Sequence, residues 1–265
     1  MPAFYTHSRF GKQVLELLNP TLQEMIKKHE DLFFIGLQGP DILFYHKAYK
    51  KNAVSKRGYE MHDEAGEVFF NQAREIIKNI NHQKASFSYI AGFICHFTLD
   101  SQCHPYIGVV EREKNLSHSE IEAEEDRYLM IQDGLDPLRH IDQLQVVGND
   151  RNSRVIADFF QGISPREIKQ ALHDMKFFSK IFCAPGKLKR GVVRLILKLA
   201  GQYKSLNGLI INYEENPTCH ESTMRIAELS QEAVPIAVDL IAEFYDAVVN
   251  DQVILSERYK MTFGE

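Results

Sequence analysis

With 265 residues, 44% of them hydrophobic and 25% charged, the chain can bury a core without staples, and this composition excludes a disordered protein. The 31 Lys and Arg against 36 Asp and Glu leave a net charge of −5, which offers no global electrostatic footprint for nucleic acid. Four cysteines without a CxxC pair form neither a disulfide framework nor a zinc knuckle, and there is no leader-like or membrane-length apolar run, so a reduced, cytoplasmic setting is expected.

In chain order, a short polar start holding His7 leads into a helical pattern through Val14, Leu15, Leu17 and Leu18. Another follows Asn19-Pro20 through Leu22, Met25 and Ile26. The segment DLFFIGLQGPDILFYH is apolar, and Gly39-Pro40 predicts a turn with a carboxylate, Asp41, in greasy company. KAYKKNAVSKRG reads as a basic, irregular loop, after which come His62 and a helix through Val68, Phe69, Ala73 and Ile77. A central helix spans 85–103, with the chain looping after Pro105 through GVVEREKN to Ser117, the expected N-cap of a helix reading HSEIEAEEDRYLMIQ.

Further helices are expected over 153–162, 164–182, 187–203, 206–213 and 221–250, the second opened by Ser164, Pro165 and Glu167 as a capping signature. Strand-like alternation, repeats and linkers are not evident. The expectation is one all-α, multi-helix domain over 1–265, with ligand-bearing segments in 1–130 and packing helices in 136–265. KLKRGVVRLILKLAGQYK is basic and amphipathic. It reads as a core-packed helix with a solvated Lys/Arg face in preference to one lying on an anionic membrane.

Within CHFTLDSQCHPY, residues 95 to 106, His96, Asp100 and His104 stand four residues apart. On a helix they fall within a sector of about 80°, and the two imidazoles are separated by about 12 Å along the axis. That is near the limit for sharing one ion, so two ions with Asp100 between them fit better. A carboxylate offers two oxygens, and a neutral imidazole only one lone pair. The four-residue step recurs at His118, Glu122 and Asp126. With His7, Asp41 and His62 the set is all nitrogen and oxygen donors, suited to zinc, or to manganese or iron. Its spread over several segments suits a multinuclear catalytic site rather than a closed structural cage. The plainer alternative is a polar seam bonded to backbone in a helical core. Cys95 and Cys103 read as packing residues and Asp126 as a carboxylate orienting a ligating histidine. His29, His82, His140 and His173 read as surface residues, and His46 as a loop histidine.

The order His7, GPD at 39 to 41, His62, HFTLDSQCHP at 96 to 105 and HSEIE at 118 to 122 resembles the zinc-dependent phospholipase C family, related to zinc nucleases of single-stranded nucleic acid. The resemblance covers roughly the first 130 residues, and its specificity lies in the ordered set. It implies an all-α fold with clustered zinc ions at the floor of a cleft. Asp41, His62, His96 and Asp100 would bind one ion, and His104, His118 and Glu122 a second. His7, Asp100 and the N-terminal residue would bind a third. Asp41 and Asp100 are the catalytic carboxylates implied, Asp41 as general base.

In the family an N-terminal Trp completes the third site. This chain has no Trp, and Pro2, exposed if Met1 is removed, stands in its place, so two ions are expected more firmly than three. The implied activity is hydrolysis of a phosphodiester, a phospholipid first, by a metal-bridging hydroxide attacking phosphorus, with peripheral membrane contact allowed and no stable nucleic-acid complex expected. One alternative is a nuclease, nucleotidase or other phosphoesterase, for which Tyr45, Tyr49, Lys50, Lys51, Lys56 and Arg57 line a suitable loop. Another, of a different class, is a metal- or headgroup-binding protein without turnover.

Overall fold

A computed structural model describes residues 4–142 and 146–264, and among these the chain is helical throughout its regular parts, with no strand. In order come α1 (Phe4–Leu17), α2 (Pro20–Lys27), α3 (Glu30–Gly36), a 3-10 segment (Gly39–Tyr45), α4 (Ala53–Asp63) and α5 (Gly66–Lys78). α6 (Gln83–Lys114), α7 (His118–Gln132), α8 (Asp150–Ala157), α9 (Pro165–Phe182), α10 (Lys187–Leu199), the single turn α11 (Tyr203–Leu206) and α12 (His220–Val249) follow. The all-α expectation holds.

α6 is the centre because its sequence leaves it no choice. Every residue from Ala85 to Ser101 is buried, and a helix without a polar face must be surrounded. α1, α3, α5 and α12 pack around it. The crossing with α3 is backbone on backbone: a Cβ on Gly36 would lie 2.1 Å from Tyr89 O, and one on Gly92 2.1 Å from Phe33 O. Only glycine allows that approach, and it brings the chain that follows α3, with Asp41, against the His96 turn of α6. An aromatic layer of Phe69, Phe70, Phe93, Phe97, Phe244, Tyr259 and Phe263 fills the other side, so the last residues described return to the centre.

Several sequence boundaries are corrected. The central helix does not end near Pro105; it runs to Lys114 and stops at Asn115, in the left-handed region at φ 52°. Proline inside a helix costs about 3 kcal/mol, because its nitrogen carries no hydrogen and its ring crowds the preceding turn. Here Ile107 and Val110, buried in the main core, oppose that cost. The basic loop is shorter than expected, because α4 starts at Ala53 behind a capping box between Asn52 and Ser55. The short polar start holding His7 is itself helical, within α1. The helix expected over 206–213 is reduced to α11 and a 3-10 turn, Asn207–Leu209. The capping box of Ser164 and Glu167 opens α9 as its sequence predicts.

α10 departs most from its expected packing. Arg190, Val193 and Leu197 face inward, the two apolar ones into a small cluster with Ala184 and Ile210, but Leu188, Val192, Leu195, Ile196 and Leu199 are exposed. No described helix is long and apolar enough to cross a membrane.

Candidate metal centre

The stripe on α6 is buried and drawn together. Asp100 Oδ2 lies 3.0 Å from His96 Nε2, and Oδ1 lies 3.6 Å from His104 Nε2. From α1, His7 brings Nε2 to 3.2 Å from Asp100 Oδ1 and stacks its ring on His96 at 4.5 Å. The 3-10 segment supplies Asp41, whose Oδ1 lies 3.1 Å from Nε2 of His62 on α4. α7 supplies His118 and Glu122 one turn apart, with Glu122 Oε1 3.2 Å from His118 Nε2 and 3.5 Å from His104 Nε2.

All eight sequence-selected residues therefore meet in three groups whose ligand atoms lie within 4.8 Å of one another: Asp41, His62 and His96; His104, His118 and Glu122; and His7, His96 and Asp100. The grouping differs in two details from that implied by resemblance: Asp100 is not grouped with Asp41 and His62, and His96 joins His7 and Asp100, so that His96 belongs to two groups. The N-terminal residue expected to complete the third set lies outside the described residues. Seven of the eight are largely buried, and His118, with a third of its side chain exposed, marks the side open to solvent.

What holds the imidazoles was not readable from spacing. His62 Nδ1 lies 2.8 Å from Gly58 O, His96 Nδ1 3.2 Å from Leu37 O and His118 Nδ1 3.3 Å from Glu111 Oε2. A nitrogen facing an acceptor carries the hydrogen, so Nδ1 stays protonated in each ring and Nε2, which points at the cluster, is the nitrogen that would offer a lone pair to an ion on losing any proton of its own. His96 Nε2 is buried and, although close to Asp100, lacks the geometry of a hydrogen bond. A buried lone pair without a donor and inward carboxylates on three sides are the donor chemistry that a zinc ion satisfies, so these residues fit the metal. Gly39 makes room: at φ 50° it takes a backbone shape that other residues resist, and a Cβ there would lie 2.1 Å from the His96 ring.

The electrostatics are those of carboxylates crowded by imidazoles. Burial alone would raise Asp100, but the facing imidazoles of His104, His96 and His7 hold its carboxyl well below the usual range; Glu122 is likewise held low against burial, with His118 and His104 among the causes. Burial would lower His62 and His118, but hydrogen bonds and charge from Asp41 and Glu122 raise each to about 9.

Other selected residues take different places. Asp126 does not orient a ligating histidine; it accepts from the backbone N–H groups of Tyr5 and Thr6 and from the Thr6 hydroxyl, tying down the first turn of α1 just ahead of His7. Burial pushes its carboxyl up to about 7 despite these bonds. His46 is buried on Asn52, whereas His29 and His140 are only half-buried. Cys95 and Cys103 are buried and unbridged, as packing residues. Of the residues expected to line the basic loop, Lys56 and Arg57 lie on α4, paired with Glu60 and Glu64, Tyr45 is buried at the end of the 3-10 segment and Tyr49 is exposed.

Two contributors lay outside sequence reach. Glu111 follows His104 by two turns of α6, in the part of the helix beyond Pro105 that the local pattern does not announce. Phe263 covers His62 and His96 with ring centroids at 5.3 and 5.9 Å, a contact that no local pattern announces.

The fold and the donors together define a helical protein with three groups of nitrogen and oxygen donors that could hold metal. Residues 6–174, well over half of the chain, match the model of the zinc dependent phospholipase C family, and the chain belongs to that family. No curated protein and no solved structure matches it.

Proposed function

We propose that the chain is a zinc-dependent hydrolase of phospholipase C type that cleaves the phosphodiester of a phospholipid, working as a single all-α domain in a reducing, cytoplasmic setting. Family membership supports the reaction and substrate class, and four free cysteines suit the setting. The observation that carries the reading is Asp100, buried with His7, His96 and His104 around its two oxygens.

Asp41, His62 and His96 would hold one ion and His104, His118 and Glu122 a second, with Asp100 between them; His7 with His96 and Asp100 is the set for a third. Bound zinc supplies charge neutralisation for an anionic phosphodiester and Lewis acidity toward water and the leaving oxygen. The chain's own residues do the positioning. The Asp41 carboxyl is held below the usual carboxylate range: burial opposes the charge, while the hydrogen bond and charge of His62 and the charge of His96 are among the effects that favour it. As a carboxylate it can orient the attacking water and accept its proton. Leu37 O, Gly58 O and Glu111 hold three rings with Nε2 inward, and Phe263 shields the buried end from bulk water.

The test is zinc content by mass spectrometry beside hydrolysis of a short-chain phosphatidylcholine, before chelation, after it, and after zinc is returned. Two or three zinc equivalents, with hydrolysis lost and restored in step, are expected. A folded chain that takes up no zinc overturns the metal site. A zinc-loaded chain that cleaves bis(p-nitrophenyl) phosphate or single-stranded DNA but no phospholipid overturns the substrate class.

A further inference from the structure

α10 carries two apolar faces. At 100° per residue, Val193 and Leu197 lie with Arg190 in a sector of about 60°, the one that is buried. Leu188, Val192, Leu195, Ile196 and Leu199 lie in a separate sector of about 100°, centred about 140° away, and that sector faces solvent, with Leu188 84% and Leu199 81% exposed. Cations border it. Lys187, Arg194 and Lys198 cluster along one edge and Lys189 stands on the other, while the helix has no acidic residue at all. This is a local run of positive charge in a chain whose net charge is −5.

The helix is fixed rather than loose. The Arg190 guanidinium stacks 3.8 Å over Tyr213 and donates to Ala184 O and Ile211 O, and Lys189 Nζ donates to the carbonyls of Lys180 and Cys183 at the end of α9. Solvation explains an exposed lysine, but it does not explain five aligned aliphatic side chains in water.

We infer that the outward face of α10 is a docking surface for a bilayer containing anionic phospholipid, the five aliphatic side chains entering the headgroup boundary and the exposed Lys187 and Lys198 meeting lipid phosphates. The arrangement is that of a helix lying in the plane of an interface: about 20 Å long, too short to span, with a strong polar border and an apolar ridge. A second copy of the chain is a poorer occupant, because a two-fold contact would set one cation-bordered face against another. The inference concerns adsorption and does not require turnover.

The test is sedimentation of the full-length, zinc-loaded protein with vesicles of phosphatidylcholine alone and of phosphatidylcholine with phosphatidylglycerol. It is run for the wild type, for Leu188→Gln/Leu195→Gln/Leu199→Gln, and for Lys187→Glu/Lys198→Glu. All five altered positions are exposed, so the fold should persist, as checked by circular dichroism. The wild type is expected to prefer the anionic vesicles, and each variant to bind them at least about tenfold more weakly. Hydrolysis of a monomeric, short-chain phosphatidylcholine should be unchanged in both variants. Wild-type protein that ignores both vesicles overturns the inference, as does a triple variant that binds like the wild type. A wild-type dimer that the triple variant abolishes, without vesicle binding, assigns the face to a second copy and also overturns it. Adsorption that persists in a chain cleaving no phospholipid leaves the docking surface standing and removes only the proposed reaction.

Discussion

Along α6 the imidazoles and carboxylate of His96, Asp100 and His104 sit inside the protein, while along α10 five aliphatic side chains sit outside it. Each arrangement reverses the ordinary partition, and each carries a cost. A buried polar group without its partner forfeits about 1–3 kcal/mol, and an aliphatic side chain left in water forgoes about 1.5–3 kcal/mol of burial. Around α6 runs a continuous aliphatic and aromatic core, while elsewhere the departures are the buried carboxylates of α7, Glu124, Glu125 and Asp126, and scattered exposed side chains such as Ile254. On the readings proposed above, α6 and α10 are where the molecule would be completed by something other than itself, ions in one case and an interface in the other.

The strongest way to break that comparison is Asp100→Asn. The amide removes the charge shared by His7, His96 and His104 while keeping the shape. Loss of at least one zinc equivalent and a fall in turnover of about 10³-fold or more are expected, since metal stabilisation is worth several kcal/mol and each 1.4 kcal/mol is about tenfold. Helical content by circular dichroism should persist. Retained zinc and retained turnover would reduce the stripe to a polar seam in a helical core.

A smaller effect is expected from Glu111→Ala, which touches no proposed metal directly but frees Nδ1 of His118. Removing a partner of this kind typically costs about 10–100-fold in metal affinity. Zinc affinity measured against a competing chelator should fall by that amount. An affinity equal to wild type would place His118 outside the metal set or show that its orientation is fixed by other contacts.

The pH dependence is smaller per unit and separates the two helices. His62 and His118 are raised to about 9 by their carboxylate partners, so below about pH 9 each ring holds a proton that an incoming ion must displace. Zinc affinity at each group should therefore rise with pH by up to about tenfold per unit between about pH 6 and about pH 9, then level off. Chelator competition at several pH values measures this, and an affinity flat over that range would contradict the pairing. Vesicle binding should not follow the same curve, since α10 contains neither histidine nor carboxylate.

From residues alone, the helical class and five of the eight candidate ligands could be selected, because a four-residue step at His96, Asp100 and His104, and again at His118 and Glu122, has a geometric meaning wherever the helix lies; His7, Asp41 and His62 enter by residue type, setting and order along the chain. Helix starts were legible where the cap is local, as at Ser164 with Glu167. What only the tertiary structure decided is non-local. The continuation of α6 through Pro105 depends on the burial of Ile107 and Val110, and it brings Glu111 to His118. The attachment of Asp126 to the first turn of α1, and of Phe263 over His62 and His96, joins segments more than a hundred residues apart. The sequence of α10 already contains both apolar sectors, but nothing local states which will be covered. That choice falls to the small cluster of Ala184 and Ile210, which has room for Val193 and Leu197 and leaves the other face to the solvent.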